Sequence, residues 1–139
     1  MGREDGPVPD REHVPTVLVV EDELLIRMSL IDFLEECGFQ VLDATNAVEA
    51  LAMIQAGTVK IDLVFSDIRM PGHIDGFGLA KWIRENRPDL PIVLASADRT
   101  KAEVATELCA QQKFFSKPYD AAEVAAHIRD VIASHKSEH

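Results

Sequence analysis

The chain has 139 residues, 47% hydrophobic and 27% charged. These values predict one globular domain with a substantial core and exclude a fibrous or wholly disordered protein. Acidic residues outnumber lysine and arginine by 24 to 14, and the net charge of -10 argues against general nucleic-acid binding because phosphate backbones would be repelled.

The chain starts with a polar segment, residues 1–14, which contains glycine and proline and has no apolar periodicity. This composition predicts a flexible N-terminal arm without the basic flank and apolar centre of a signal peptide. No apolar run in the chain reaches the length of a membrane span, so we expect a cytoplasmic protein. The folded domain is predicted over residues 15–135, followed by a C-terminal tail at 136–139.

Five short apolar runs predict β-strands, because each is too short to be a buried helix. The runs are TVLVV (16–20), FQVLDA (39–44), IDLVFS (61–66), PIVLAS (91–96) and KFFS (113–116). They are apolar almost throughout rather than alternating with polar residues. This pattern indicates a parallel sheet that is covered by helices on both faces.

Segments with helical apolar spacing lie between and after these strands. The apolar stripes are Ile26, Leu30, Phe33 and Leu34 on the first helix and Ala47, Ala50, Leu51 and Ile54 on the second. Gly38 and Gly57 are predicted to end these two helices. Further helices are predicted over 76–86, over 101–112 with a weaker stripe, and at the end of the chain with Asp120 as N-cap. Five strand-helix units predict a doubly wound α/β fold, in which ligands bind at the carboxyl ends of the strands.

Polar residues occupy the carboxyl ends of four of these strands. Glu21 and Asp22 follow the first strand, Asp67 follows the third, Ser96 ends the fourth and Lys117 follows the fifth. Parallel strands bring these ends to one edge, where clustered carboxylates repel one another unless a cation lies between them. Oxygen ligands of this kind favour Mg²⁺. Such a site suits Asp67 as a nucleophile toward phosphorus, with Lys117 and Ser96 bonding to phosphoryl oxygens.

Each of these residues also has an ordinary structural interpretation. Asp67 can be a turn acid after a strand, and Lys117 can be a surface lysine. Glu21 and Asp22 can be acids that the helix dipole favours at a helix N-terminus. The occurrence of all of them at successive strand ends favours the site interpretation.

The motifs VLVVEDE, VFSDIRMPG, VLASAD and FFSKP occur in this order, each at a predicted strand end. Over about residues 15–134 the chain resembles the receiver domain of two-component response regulators, close to the single-domain chemotaxis type. The resemblance implies a flavodoxin-like sheet of order 2-1-3-4-5 with five helices. It also implies a phosphoprotein that catalyses its own aspartyl phosphorylation and dephosphorylation rather than the turnover of a separate small molecule.

The resemblance also implies a role for each matching residue. The implied Mg²⁺ ligands are Glu21, Asp22, Asp67 and the backbone carbonyl of Arg69. Asp67 is the implied phosphoacceptor, Lys117 contacts the phosphoryl group, and Ser96 and Phe114 are the switch hydroxyl and switch aromatic residue. The implied partners are a histidine kinase or histidine phosphotransfer protein and an effector protein. The effector would bind the face formed by the fourth helix, fifth strand and fifth helix.

Three features depart from the commoner family pattern. Serine replaces threonine at Ser96, phenylalanine replaces tyrosine at Phe114, and the turn MPGHIDG is one residue longer. None of these changes removes a group that phosphorylation requires.

Two other functions are weighed against a phosphorylation-dependent switch. A binding module with the same fold that works without phosphorylation is the alternative, but the intact acid pair, Asp67 and Lys117 argue against it. A hydrolase of small phosphate esters would have a second acid two residues after its nucleophile, where this chain has Arg69. Only about twenty residues follow Lys117, so we expect no output domain and a signal passed by protein contact, either to an effector or within a phosphorelay.

Overall fold

The structure is a computed structural model that describes residues 14–96, 114–116 and 120–137. For residues 96, 114–116 and 135–137 the description covers the backbone alone. The predicted N-terminal arm, apart from Val14, and the helix predicted over 101–112 lie outside the described residues.

Parallel strands form one sheet in the order β2-β1-β3-β4-β5. The strands are β1 (Thr16–Val20), β2 (Gln40–Ala44), β3 (Leu63–Asp67), β4 (Ile92–Ser96) and β5 (Phe114–Ser116). The predicted α/β class with a parallel sheet is confirmed. Asp67, which was expected after the third strand, is instead its last residue and pairs with Ala95 on β4.

Four helices lie in the described part of the chain: α1 (Leu24–Glu36), α2 (Ala47–Ala56), α3 (Gly76–Asn86) and α4 (Ala121–Ser137). The side chain of Asn46 caps α2 by accepting the amide N–H of Glu49, and Gly57 ends that helix in the left-handed conformation with φ 65°. Asp120 accepts the amide N–H of Ala122 at 2.9 Å, as expected for the predicted N-cap. None of these helices has the length and apolar character of a bilayer span.

The strand side chains alternate between two hydrophobic clusters on opposite faces of the sheet. One cluster, packed against α2 and α3, contains Leu18, Val20, Val64, Ile92 and Leu94. The other, packed against α1 and α4, contains Val17, Val19, Leu63, Phe65 and Val93. Because helices cover both faces, β1 and β3 are buried along their whole length, which explains their continuous apolar sequences. Polar chemistry in these two strands is therefore confined to their ends.

Candidate functional site

Three carboxylates lie together at the carboxyl edge of two neighbouring central strands. Glu21 and Asp22 directly follow β1, and Asp67 ends β3. One carboxylate oxygen from each lies within 4.8 Å of those from the other two. Glu21 and Asp67 are buried, whereas Asp22 is exposed. The structure thus brings together three of the predicted site residues in a cluster that solvent reaches at Asp22.

The donor set of this cluster fits a hard divalent cation. At 4.8 Å, the upper limit of the separations between these oxygens, two unit charges repel by about 3.5 kcal/mol at an effective dielectric constant of 20, so a cation between the carboxylates relieves a substantial cost. All three donors are carboxylate oxygens. Mg²⁺ takes one or two protein carboxylates together with water and phosphate oxygens, which suits a cluster with one exposed side.

The backbone at Asp67 is fixed by the strands on either side of β3. Ser66 pairs with Val20 on β1, and Asp67 pairs with Ala95 on β4. The hydroxyl of Ser66 donates to the carbonyl oxygen of Asp67 at 2.8 Å, and the amide N–H of Ile68 donates to the carbonyl of Ala95 at 2.9 Å. These bonds on both sides of the residue restrict the direction in which its carboxylate points.

The turn that follows β3 comes back onto the backbone of Asp67 at the start of α3. The amide N–H of Gly76 donates to the carbonyl of Ile68 at 2.8 Å. A Cβ on Gly76 would lie 2.5 Å from the carbonyl oxygen of Asp67 and 2.6 Å from the Cα of Ile68. Asp75, the N-cap of α3, accepts the amide N–H of Gly78 at 3.0 Å. Only glycine at position 76 allows the helix to begin this close to the acid.

The longer turn forms part of a groove between α2 and α3. Gly72 has a φ of 106°, in the left-handed region that favours glycine. Residues 72–75 line a groove of about 320 Å³ together with Leu51 of α2 and with Gly78 and Trp82 of α3. The extra residue predicted between Pro71 and Gly76 therefore adds backbone to this surface.

The remaining predicted site residues are described in part. Arg69 is exposed in the turn after β3. Ser96 is the last residue of β4, and Phe114 is the first residue of β5 and pairs with Leu94. The side chains of Ser96 and Phe114 lie outside the described part of the chain, as does Lys117. The three clustered acids are thus the part of the predicted site whose side-chain geometry is described.

Arg27 also contacts this region, although it is not among the site residues predicted from the sequence. Its Nη1 donates to the backbone carbonyl of Glu21 at 2.9 Å, and its Nε donates to the carboxylate of Asp43 at 3.0 Å. Its side chain is only 13% exposed. The sequence carries no local signal for this contact, because Arg27 and Asp43 are 16 positions apart and lie on different elements.

Residues 17–129 match the family model of the response regulator receiver domain. The chain belongs to this family. The receiver is 33% identical over 119 residues to the sensor kinase CckA of Brucella abortus (strain 2308), a match that covers 84% of the receiver and 12% of CckA. It is 34% identical over 125 residues to the DNA-binding transcriptional regulator NtrC of Rhizobium meliloti (strain 1021), covering 87% and 25% of the two chains. The receiver spans about half or less of the length of these curated relatives.

Solved structures share both the fold and the family. A response regulator receiver domain protein from Clostridium thermocellum has a TM-score of 0.81 and 25% identity, and the match covers 91% of the receiver and 100% of that chain. The response regulator TrrA from Thermotoga maritima, solved in complex with Mg(2+)-BeF, has a TM-score of 0.74 and 31% identity over 84% of the receiver and 98% of TrrA. The chain is therefore a receiver domain of two-component signalling.

Proposed function

We propose that the receiver accepts a phosphoryl group on Asp67 from a histidine kinase or histidine phosphotransfer protein. The proposed Mg²⁺ ligands are Glu21, Asp22, Asp67 and the backbone carbonyl of Arg69. The observation that carries the proposal is the convergence of three carboxylates within 4.8 Å, with Asp67 at the end of a fully buried strand. The Mg(2+)-BeF complex of TrrA, a relative with 31% identity, supports the metal.

The chemistry follows from the position of Asp67. Bound Mg²⁺ would offset the charge of the carboxylates and of the phosphoryl oxygens. A carboxylate oxygen of Asp67 attacks phosphorus while the P–N bond to the imidazole of the donor breaks, and the electron pair of that bond returns to nitrogen. The product is an acyl phosphate, which water later hydrolyses to restore the carboxylate. In this proposal Lys117 and Ser96 bind the phosphoryl oxygens.

The proposed output is a change in protein contacts. Phosphorylation would act through Ser96 and Phe114 on the face formed by the helix predicted over 101–112, β5 and α4. A differential stabilisation of a few kcal/mol is enough for such a two-state shift. The net charge of -10 supports a protein partner rather than a nucleic acid. A domain over residues 15–135 that acts in the cytoplasm as a switch or phosphate relay belongs to the same proposal.

Incubation with Mg²⁺ and acetyl phosphate, followed by intact-mass spectrometry, tests the proposal. We expect one phosphoryl adduct on the wild type and none on Asp67→Asn. Asp89→Asn is the matched control, because Asp89 is an exposed acid that pairs with Arg87 before β4, at the opposite edge of the sheet. This control should keep the adduct.

Two results would contradict the proposal: no adduct on the wild type, or an equal adduct on Asp67→Asn. A pull-down then separates a switch from the phosphorylation-independent binding module. A switch predicts partner binding that differs between phosphorylated wild type and Asp67→Asn. Equal binding by the two would favour the module.

A further inference from the structure

Arg27 connects three elements beside the acidic cluster. It lies in the first turn of α1, and its guanidinium contacts the carbonyl of Glu21, the residue after β1, and the side chain of Asp43 on the edge strand β2. The side chain of Arg27 is 13% exposed and that of Asp43 is 47% exposed. The arginine is therefore largely withdrawn from water, and its acidic partner is reached from solvent.

Both backbone polar groups of Glu21, its amide N–H and its carbonyl, are hydrogen-bonded. Its amide N–H donates to the carbonyl of Ala44 at 3.1 Å, and its carbonyl accepts from Arg27 at 2.9 Å. Its side-chain Oε2 accepts the amide N–H of Glu23 at 3.1 Å. Loss of the Arg27 contact would release the Glu21 carbonyl, which belongs to the peptide unit that leads directly into Asp22.

We propose that Arg27, oriented by Asp43, is a positioning residue for the metal-binding acids. By fixing the Glu21–Asp22 peptide it keeps the first two carboxylates of the cluster within reach of Asp67. This inference rests on the proposed function, because it takes the three carboxylates as the Mg²⁺ site. The planar guanidinium holds its five N–H groups in a fixed geometry and uses two of them here, whereas the ammonium of lysine is a point charge on a flexible chain. Arginine is therefore the residue suited to bridge an acceptor just after β1 and an acceptor on β2.

The test is the dissociation constant of Mg²⁺, measured by isothermal titration calorimetry without any phosphodonor. Partners that orient metal ligands typically change metal affinity 10- to 100-fold when they are removed, so we expect Arg27→Ala to raise the dissociation constant by about tenfold. Arg27→Lys should restore part of the affinity, because it keeps one contact and the charge. Asp43→Ala should also weaken binding. The double variant should be no weaker than Arg27→Ala alone, since the pair acts as a unit.

Arg129→Ala is the matched control. Arg129 on α4 also donates to a backbone carbonyl, that of Cys37 at 2.8 Å, and its guanidinium lies 5.4 Å from the centre of the Phe39 ring. These contacts lie before β2, at the edge of the sheet opposite the acids. We expect both arginine variants to lower the thermal unfolding midpoint in EDTA, but only Arg27→Ala to change the Mg²⁺ dissociation constant. Likewise, only Arg27→Ala should change the shift of the Asp22 amide NMR signal that Mg²⁺ titration produces.

Equal Mg²⁺ dissociation constants for wild type and folded Arg27→Ala would overturn the positioning role and leave the proposed function intact. An equal loss of affinity in Arg129→Ala would overturn it too, because the effect would then be one of general stability. A wild type that binds no Mg²⁺ and forms no phosphoryl adduct would overturn both proposals. If Arg27→Ala does not fold, Asp43→Ala decides: weaker Mg²⁺ binding supports the role, and unchanged binding overturns it.

Discussion

The substitution Gly76→Ala should destabilise the receiver because the added Cβ would collide with backbone at the proposed phosphoacceptor. The Cβ would lie 2.5 Å from the carbonyl oxygen of Asp67 and 2.6 Å from the Cα of Ile68, well inside the distance of about 3.5 Å at which carbon atoms pack. Both atoms belong to the backbone where β3 ends, so no side chain can rotate out of the way. Either α3 or the end of β3 must move.

The size of the effect follows from the cost of overpacking. Forcing extra atoms into a packed site costs about 1–3 kcal/mol of the free energy of unfolding. The higher helix propensity of alanine offsets at most about 1 kcal/mol of this, and less at the first residue of a helix. We expect a net loss of about 1–2 kcal/mol, which lowers the midpoint of thermal unfolding by about 4–8 °C for a domain of this size.

Gly78→Ala, in the same turn of α3, is the matched control. Its added Cβ would approach the Cγ2 methyl of Ile74 at 3.0 Å, and a side-chain methyl can move. We expect stability close to that of the wild type, because the gain in helix propensity offsets this small displacement. Urea unfolding in EDTA, followed by circular dichroism, measures both variants. Equal losses in the two variants, or wild-type stability in Gly76→Ala, would refute the reasoning.

Three further predictions concern a helix cap, the metal and the core. Asn46→Ala removes the acceptor for the amide N–H of Glu49 at 2.8 Å and should cost about 1 kcal/mol in urea unfolding; an unchanged midpoint would contradict the cap. Mg²⁺ at about 100 times its dissociation constant should stabilise the wild type by about 2.7 kcal/mol relative to EDTA. Asp22→Asn should lose most of that gain at the same concentration, and an equal thermal shift would argue against Asp22 as a ligand. Leu34→Ala should lower the free energy of unfolding by about 2–5 kcal/mol because Leu34 is fully buried. A loss below about 1 kcal/mol would contradict this, because it would mean that neighbouring side chains fill the cavity.

The sequence was sufficient to predict the parallel sheet and the meeting of the acids. Continuous apolar runs such as TVLVV are typical of strands buried on both faces, and two clusters on opposite sides of the sheet account for them. Once the strands are parallel and neighbours, Glu21, Asp22 and Asp67 must come to one edge. The helix over 76–86 was predicted at the bounds observed for α3, because Pro88 shortly after it disfavours a longer helix.

The contacts around the acids were not predictable in the same way. The bond between Arg27 and Asp43 depends on the direction of the Arg27 side chain from the first turn of α1, which the predicted strand order does not state. The approach of Gly76 to Asp67 depends on the path of the whole turn from residue 68 to residue 75. Neither contact can be inferred from which residue types occur at which spacing, because both depend on tertiary geometry. The structure brings the carboxylates of Glu21, Asp22 and Asp67 together, but the roles assigned to all the predicted site residues, Ser96, Lys117 and Phe114 included, stay predictions.

Asp43 lies on an edge strand of the described sheet, where strands of separate molecules could pair. β2 and β5 are the outermost strands of the described sheet, and such strands can serve as templates for intermolecular pairing and aggregation. The five residues of β2 include exposed Gln40 and Asp43. Charged side chains on an edge strand hinder the addition of a foreign strand. The carboxylate that contacts Arg27 therefore also places a charge on the edge strand β2, where charge disfavours pairing with a strand of another molecule.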